Sequence, residues 1–567
     1  MRRSASGLIS APKEMEPFSK PPKFPRLSSQ SSGSLNLPFL PHPTQLPPRP
    51  ISGPKTYGSP FNSRLWLFCA FFLLMTCFSL YGFSLFKGFQ FSNQFSIFKN
   101  RGYIIIIDAG SSGSRAHVFH YINEGPLPLV SFSDRENWSL KTKPGLSSFA
   151  NDPHNAGESL EQLLIFASSK VPKRQRADTR IYLMATAGLR RLDTEIQESI
   201  LESCRAKLRT SEFKFLDEWA SIITGTDEGV FAWIAANYAL GTLGKDMEDT
   251  VGIIELGGAS AQVTFVPDAL PPPEYLHTFD LGERTYPLYT HSFLHLGQEA
   301  AWDGLMHQIL SGALKSSYQS VEKIVDPCTP KGFIMSSEEL SRRASNIISD
   351  DKIKVSSILS AGNFSECKRV AAQFLQIGRD RCVYHSCAIG STYVPKMKGR
   401  FFATENFFYT SQFFGLLPRA TLMDIQNAGQ YFCEEEWSKL QEKHGGIAEE
   451  DLLKYCFSSA YIVALLHDSL GLAMHNHRVT FTNQVGKVPL DWALGALIVK
   501  IREDAPPETS VGIFDEYKAF LPFLIVAFII GFGVLIFYWQ RKPNLKIIYD
   551  LEKGKYITTA VRTVNKR

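Results

Sequence analysis

The sequence predicts an α/β fold of two similarly built lobes with a cleft between them, flanked by N- and C-terminal transmembrane helices. Three observations carry that expectation. The stretch "IIIIDAGSSGSRAHVF" from Ile104 and the stretch "VGIIELGGASAQVTF" from Val251 follow one plan: apolar run, single acid, Gly/Ala/Ser turn, alternating strand. Asp108 and Glu255 hold equivalent places, as do Gly110 and Gly257, each pair 147 residues apart. Between and beyond these hairpins, apolar stripes at helical spacing alternate with short buried-looking strands, the pattern of α/β lobes. Finally, two uncharged apolar runs, each long enough to cross a bilayer, enclose about 430 residues.

Taken in order, residues 1–64 hold 13 of the 32 prolines and 12 serines. They cannot bury enough apolar surface to offset the entropy of ordering, so a disordered tail is expected. Leu65–Phe86 is uncharged over 22 residues. A long preceding tail and an apolar core longer than a signal peptide's make it an uncleaved anchor. Ala519–Trp539 is the second span, followed at once by Arg541 and Lys542. The first tail carries nine Lys/Arg against two acids, and residues 540–567 carry eight against two. Positive residues favour the cytosol, so both tails are expected there, with the intervening segment lumenal or extracellular in Golgi, vesicle or plasma membrane. Paired spans would also allow a homo-oligomer through the transmembrane helices. Residues 65–539 carry 43 basic and 51 acidic side chains, so the net charge of +5 belongs to the tails and no nucleic-acid partner is expected.

The cysteines fit an oxidising compartment. Cys69 and Cys77 fall in the first span; Cys204 shares a helical face with Ile196, Ile200 and Leu208 and reads as a packed free thiol. Cys328, Cys367, Cys382, Cys387, Cys433 and Cys456 match no zinc spacing and are expected to form disulfides, with the pairing left open. Asn137 in N-W-S and Asn363 in N-F-S are glycosylation acceptors by pattern.

The chemistry lies in the turns. "DAGSSGS" offers several backbone N–H groups and three hydroxyls with little bulk, which suits a phosphate, while one carboxylate at the strand end suits a divalent metal or its water. No Lys follows at P-loop spacing. Two such units facing one another suit a polyphosphate with its metal, whose charge must be shared among fixed dipoles and a cation. Between them, "GESLEQLLIFASSKV" is a helix with Leu160, Leu163, Leu164 and Ala167 on one stripe, and "RIYLMATAGLRRL" is a strand running into a small-residue turn at Thr186. "GTDEGVFAWIAANYALG" reads as a helix opened by Thr226, Asp227 and Glu228, where acids offset the helix dipole.

Five stretches, "DAGSSGSR", "MATAGLR", "GTDEGVFAWIAANYALG", "ELGGASAQVTF" and "DWALGALI", resemble in order the five signature regions of the apyrases, the nucleoside triphosphate diphosphohydrolase and guanosine diphosphatase family. The similarity spans most of residues 101–502, and the "GSR" of the first region is similar to the plant apyrase and guanosine diphosphatase branches. The resemblance implies an actin-like, duplicated RNase H-like architecture. It also implies hydrolysis of terminal phosphoanhydride bonds in nucleoside di- and triphosphates, dependent on Ca²⁺ or Mg²⁺, without a phosphoenzyme. On that resemblance Glu228 would be the general base, Ser260 and Gln262 would hold the attacking water, and Thr186 would add a hydroxyl at the reacting phosphate. Ser111, Ser112, Gly113 and Ser114 would cradle phosphates from one lobe, and Gly257, Gly258 and Ala259 from the other. Asp108 and Glu255 would hold the metal through its waters, with Trp492 closing that side. Tyr409, in "FFATENFFYTSQFFGL", would stack on the nucleobase.

The first lobe is expected over 101–224 with 491–518, and the second over 225–490. One departure stands out: the family usually has Asp where this chain has Glu255. The extra methylene advances the carboxylate by ~1.5 Å, about a bond length, so an altered metal preference is expected. Arg115 and Arg190 follow phosphate-turn segments and are expected to brace them by ion pairs. Two other readings share the sequence. A sugar kinase or chaperone-type ATPase of the same superfold would be cytosolic, against the spans and the cysteines. A nucleotide-binding receptor or pseudoenzyme would bind without turnover, which phosphate release distinguishes.

Overall fold

The computed structural model describes residues 76, 100–123, 127–132, 138–315, 324–335, 358–384, 387–503, 526–537 and 545–560. Residues 1–86 form one unit, in which only Thr76 is described; everything below belongs to the second unit, residues 87–567. The tail 1–64 and Asn137 lie outside the described residues, as does Leu65–Phe86 apart from Thr76. Of Ala519–Trp539, residues 526–537 are described; they are helical, with exposed apolar side chains such as Phe528 and Ile529. Among the described residues no helix is long and apolar enough to cross a membrane. Downstream, Leu545–Asp550 and Lys555–Ala560 form an antiparallel hairpin.

Two six-stranded sheets organise the rest. The first is built from β1 (Asn100–Ala109), β2 (Ser114–Asn123), β3 (Leu129–Val130), β4 (Ser139–Thr142), β5 (Arg180–Ala185) and β6 (Ala220–Ile222). Its order is β3-β2-β1-β5-β6, with β4 pairing β2. The second is built from β7 (Gly252–Leu256), β8 (Ser260–Phe265), β9 (Leu276–Leu281), β10 (Arg284–Leu294), β11 (Phe401–Glu405) and β12 (Val479–Phe481), in the order β12-β11-β7-β8-β10-β9. Each sheet has the same heart, an antiparallel hairpin whose first strand pairs in parallel with a later one: β1 with β5, and β7 with β11. The repeat seen in the sequence is therefore a repeat of topology.

Helices cover the sheets: α1 (Glu161–Lys170), α2 (Thr194–Arg209), α3 (Gly225–Leu240), α4 (Gln298–Lys315), α5 (Phe364–Leu375), α6 (Asn406–Phe413), α7 (Leu422–Glu434), α8 (Tyr455–Val463) and α9 (Trp492–Glu503). The four isoleucines of β1 are completely buried, as a strand covered on both faces requires. Ile105 and Ile107 enter a core of the first lobe with Leu163, Ile200 and Cys204. Ile104 and Ile106 enter a different core, with residues of α3, α9 and β7. A third core fills the second lobe. Helices α3 and α9 thus form an apolar layer between the sheets, and the helix that opens the expected second lobe belongs to both. Its N-cap is Thr224, in a reciprocal capping box with Asp227, two residues before the start read from sequence. From Glu228 to Asn237 it is buried almost without a break, apart from half-buried Phe231, so it shows no amphipathic stripe.

The six cysteines pair as Cys328–Cys367, Cys382–Cys387 and Cys433–Cys456, all within the second lobe. Cys204 is free and buried. Asn363 is exposed and caps α5, its side-chain oxygen accepting from the N–H of Glu366 at 3.0 Å.

Candidate active site

Both hairpins close with the same bond. The N–H of Gly110 donates to the carbonyl of Gly113 at 3.0 Å, and the N–H of Gly257 donates to the carbonyl of Ser260 at 3.0 Å. In register, Asp108 faces Arg115 across the first hairpin and Glu255 faces Gln262 across the second. The two acids are thus built alike, but one has a cation opposite and the other an amide. The turns also meet: a Cβ added to Gly258 would lie 2.6 Å from Ser111 Oγ, so a larger residue there would have to displace the Ser111 hydroxyl from between the lips.

One cavity runs between them. Asp108, Glu255 and Trp492 line it, as do Thr186, Glu228 and Ser260. From the phosphate turns, Ser111, Ser112 and Gly113 face Gly257, Gly258 and Ala259 across the same space. Three expected site residues sit outside this lining. Ser114 is buried at the start of β2, with no hydrogen-bond partner for its hydroxyl among the described residues. Gln262 stands directly behind Ser260, donating from Nε2 to Ser260 Oγ at 2.7 Å and to Ser292 Oγ at 3.2 Å. Tyr409 lines a second cavity of 490 Å³ next door, with Lys143, Asn406 and Tyr455 among its walls.

The structure also brings in residues that the sequence reading had not assigned to the site. Arg115, Lys141, Glu405 and Asp491 all line the first cavity. Lys141 comes from β4, in register with Arg115, and donates to Ser112 Oγ at 3.2 Å. Asp491 caps α9 by accepting from the N–H of Ala493 at 2.9 Å, and its other oxygen lies 3.3 Å from both Arg115 Nη1 and His117 Nε2. Arg190 donates to Glu228 Oε2 at 2.7 Å and to the carbonyl of Ile223 at 3.1 Å. Both arginines therefore brace their segments through acids at the N-terminal ends of the interlobe helices.

Five acids in one cleft disturb each other; Glu228, Glu255 and Asp491 are buried, Asp108 and Glu405 half-buried. Burial, then the charge of Asp491, raises the Asp108 carboxyl well above its ordinary range, against the pull of Arg115. Burial, then Glu228, does the same to Glu255. Glu228 is raised by burial and drawn back by Arg190. Burial also raises Glu405, with Arg115 the strongest opposing charge. Asp491 alone moves down: burial works against it, but His117, Arg115 and the Ala493 N–H prevail.

Among the described residues no three of His, Cys, Asp and Glu are grouped closely enough to hold a metal directly. Yet Asp108 Oδ1 and Glu255 Oε2 are buried acceptors without a partner among the described residues. Two desolvated oxygens of that kind fit a divalent cation reached through its own waters.

Fold and cleft together define a two-lobed α/β phosphate-binding protein in which two glycine turns close on one set of acids. The sequence profile of the GDA1/CD39 (nucleoside phosphatase) family matches residues 95–510. Probable apyrase 6 of Arabidopsis thaliana is 47% identical over 470 residues, covering 81% of this chain and 84% of that protein. Ectonucleoside triphosphate diphosphohydrolase 1 of Bos taurus is 28% identical over 477 residues, covering 78% and 89%. Among solved structures, a nucleoside triphosphate hydrolase from Neospora caninum superposes with a TM-score of 0.51 at 17% identity, covering 74% of this chain and 97% of that one, which shows the shared fold. The chain belongs to the GDA1/CD39 nucleoside phosphatase family and is an enzyme that hydrolyses nucleoside phosphates.

Proposed function

We propose that this enzyme is a membrane-anchored apyrase that removes terminal phosphates from nucleoside di- and triphosphates with the help of Ca²⁺ or Mg²⁺. The observation that carries the reading is the near contact of Ser111 and Gly258, which closes two N–H-rich turns around Glu228 and the unpartnered oxygens of Asp108 and Glu255. Asp108 and Glu255 would hold the hydrated cation, with Trp492 beside them. When bound, the cation would neutralise charge on the phosphate oxygens as the anhydride breaks. Glu228 takes the proton from the attacking water; burial raises its carboxyl and Arg190 opposes that rise. Ser260 supplies a hydroxyl to that water, and Gln262 Oε1, buried and without a partner, is free to accept from it. Thr186, Ser111 and Ser112 meet the phosphate, and Tyr409 offers a ring to the base from the adjoining cavity.

The two apolar runs and the basic tails support a topology with both tails cytosolic and the catalytic segment lumenal or extracellular. Three disulfides support the same compartment. Association of the spans would make a homo-oligomer. The test of the activity is phosphate release from purified full-length protein with Ca²⁺ or Mg²⁺ and a panel of nucleotides. Glu228→Gln is expected to lower kcat by about 10²- to 10⁴-fold, and chelation to abolish turnover. Unchanged turnover in Glu228→Gln would remove the base from the reading, and nucleotide binding without release by the parent would make the protein a receptor.

A further inference from the structure

Glu405 has the backbone of a glycine. Its φ of 58° and ψ of −119° place a residue with a full side chain in a region that such residues rarely adopt. The conformation is held from both sides: the N–H of Glu405 donates to Asn483 Oδ1 at 2.8 Å, and the next residue, Asn406, donates from Nδ2 to the carbonyl of Leu256 at 2.8 Å. The chain turns sharply at the end of β11, and a carboxylate ends up in the cleft.

Its place in the cleft is specific. Glu405 lines the cavity of the phosphate turns, while Asn406 and Tyr409 line the neighbouring one. The opposite wall repeats the division, with Lys141 on the first cavity and Lys143 on the second. The partition between the two spaces therefore runs through residues 405–406 on one side and 141–143 on the other. Tyr409 reaches back across it, since its hydroxyl feels the charges of Glu405 and Arg115.

Resting on the proposed apyrase reading, we infer that Glu405 accepts hydrogen bonds from the ribose 2′- and 3′-hydroxyls of the substrate and selects ribonucleotides. A nucleotide with its phosphates in the first cavity and its base in the second must carry its sugar over the partition. At that point the substrate presents its sugar, whose hydroxyls can donate to a carboxylate, whereas the phosphates are acceptors and repel it. Arg115 and Lys141, the cations facing Glu405, keep the acid from opposing the adjacent phosphates.

The experiment compares kcat/KM of the full-length protein for ATP, 2′-deoxy-ATP and 3′-deoxy-ATP in the parent, Glu405→Gln and Glu405→Ala. The parent is expected to favour ATP by roughly 10-fold, the worth of a hydrogen bond to a charged group. Glu405→Ala should bring all three within about 2-fold, and Glu405→Gln should lie between. Glu405→Gly, which relieves the positive φ, keeps the test open should the alanine variant fold poorly, and is expected to match the alanine result. A parent that turns over all three equally overturns the inference. So does an unchanged ratio in the variants, or an equal loss on all three with a higher Ca²⁺ requirement, which would assign Glu405 to the cation. No turnover of any nucleotide by the parent would instead refute the apyrase reading.

Discussion

Arg190 opposes what burial does to the base. Burial raises the Glu228 carboxyl above its ordinary range, and the guanidinium 2.7 Å away pulls against that rise. Removing Arg190 leaves burial unopposed, so the folded-state pKa of Glu228 rises and the base stays protonated to higher pH. Arg190→Gln is therefore expected to move the acid limb of kcat/KM to higher pH, with about ten-fold more activity lost at the acid end than on the alkaline side. A uniform loss across the profile would assign Arg190 to scaffold rather than to the base. At this scale the sequence was legible where residues came in motifs. Asp108, Glu228, Glu255 and Ser260 all reach the cavity from stretches that announce themselves by a glycine turn or a helix start. Lys141 and Glu405 carry no such mark: one is a lysine on a four-residue strand, the other an acid between aromatic residues, and only register and backbone turn bring them in. Asp491 stood in a recognised stretch, but nothing local told of Arg115 and His117 beside it.

Elements explain why two lobes share one cleft. Helices α3 and α9 lie against each other so closely that a Cβ on Gly495 would collide with the carbonyl of Phe231. Their apolar sides complete the core that also receives Ile104, Ile106 and Ile253. Because both helices begin at the cleft, their first turns deliver Glu228 and Asp491 to it. Gly495→Ala must push the pair apart, at a cost of about 1–3 kcal/mol for overpacking. Thermal unfolding should report that loss as a lower Tm, and an unchanged Tm would mean the helices have room to slide. The duplicated hairpins were legible in the sequence because period-two alternation and a glycine turn survive without tertiary context. The shared layer was not. A helix buried on all sides has no stripe to reveal what it packs on, so a boundary drawn at residue 225 assigned α3 to one lobe when it serves two.

For the whole molecule, charge and apolar runs give the topology its testable form. In sealed vesicles carrying the protein in its native orientation, external protease is expected to remove tags on both termini and spare the segment between the apolar runs. Cleavage of that segment with the termini intact would invert the arrangement. The cysteines bear on the same question from within the fold. That six of them would pair was readable, but the partners were not, since six cysteines allow about 15 connectivities and only folding selects one. The selected pairs all fall in the second lobe, while the first contains a single buried thiol. Closing loops of 39 and 23 residues stabilises a fold by about 3–4 kcal/mol each. The half that holds Ser260 and Gln262 is therefore secured by oxidation and the half that holds Asp108 is not. A reductant is therefore expected to loosen the jaw that carries Ser260 and Gln262 and to leave the one that carries Asp108 as it was.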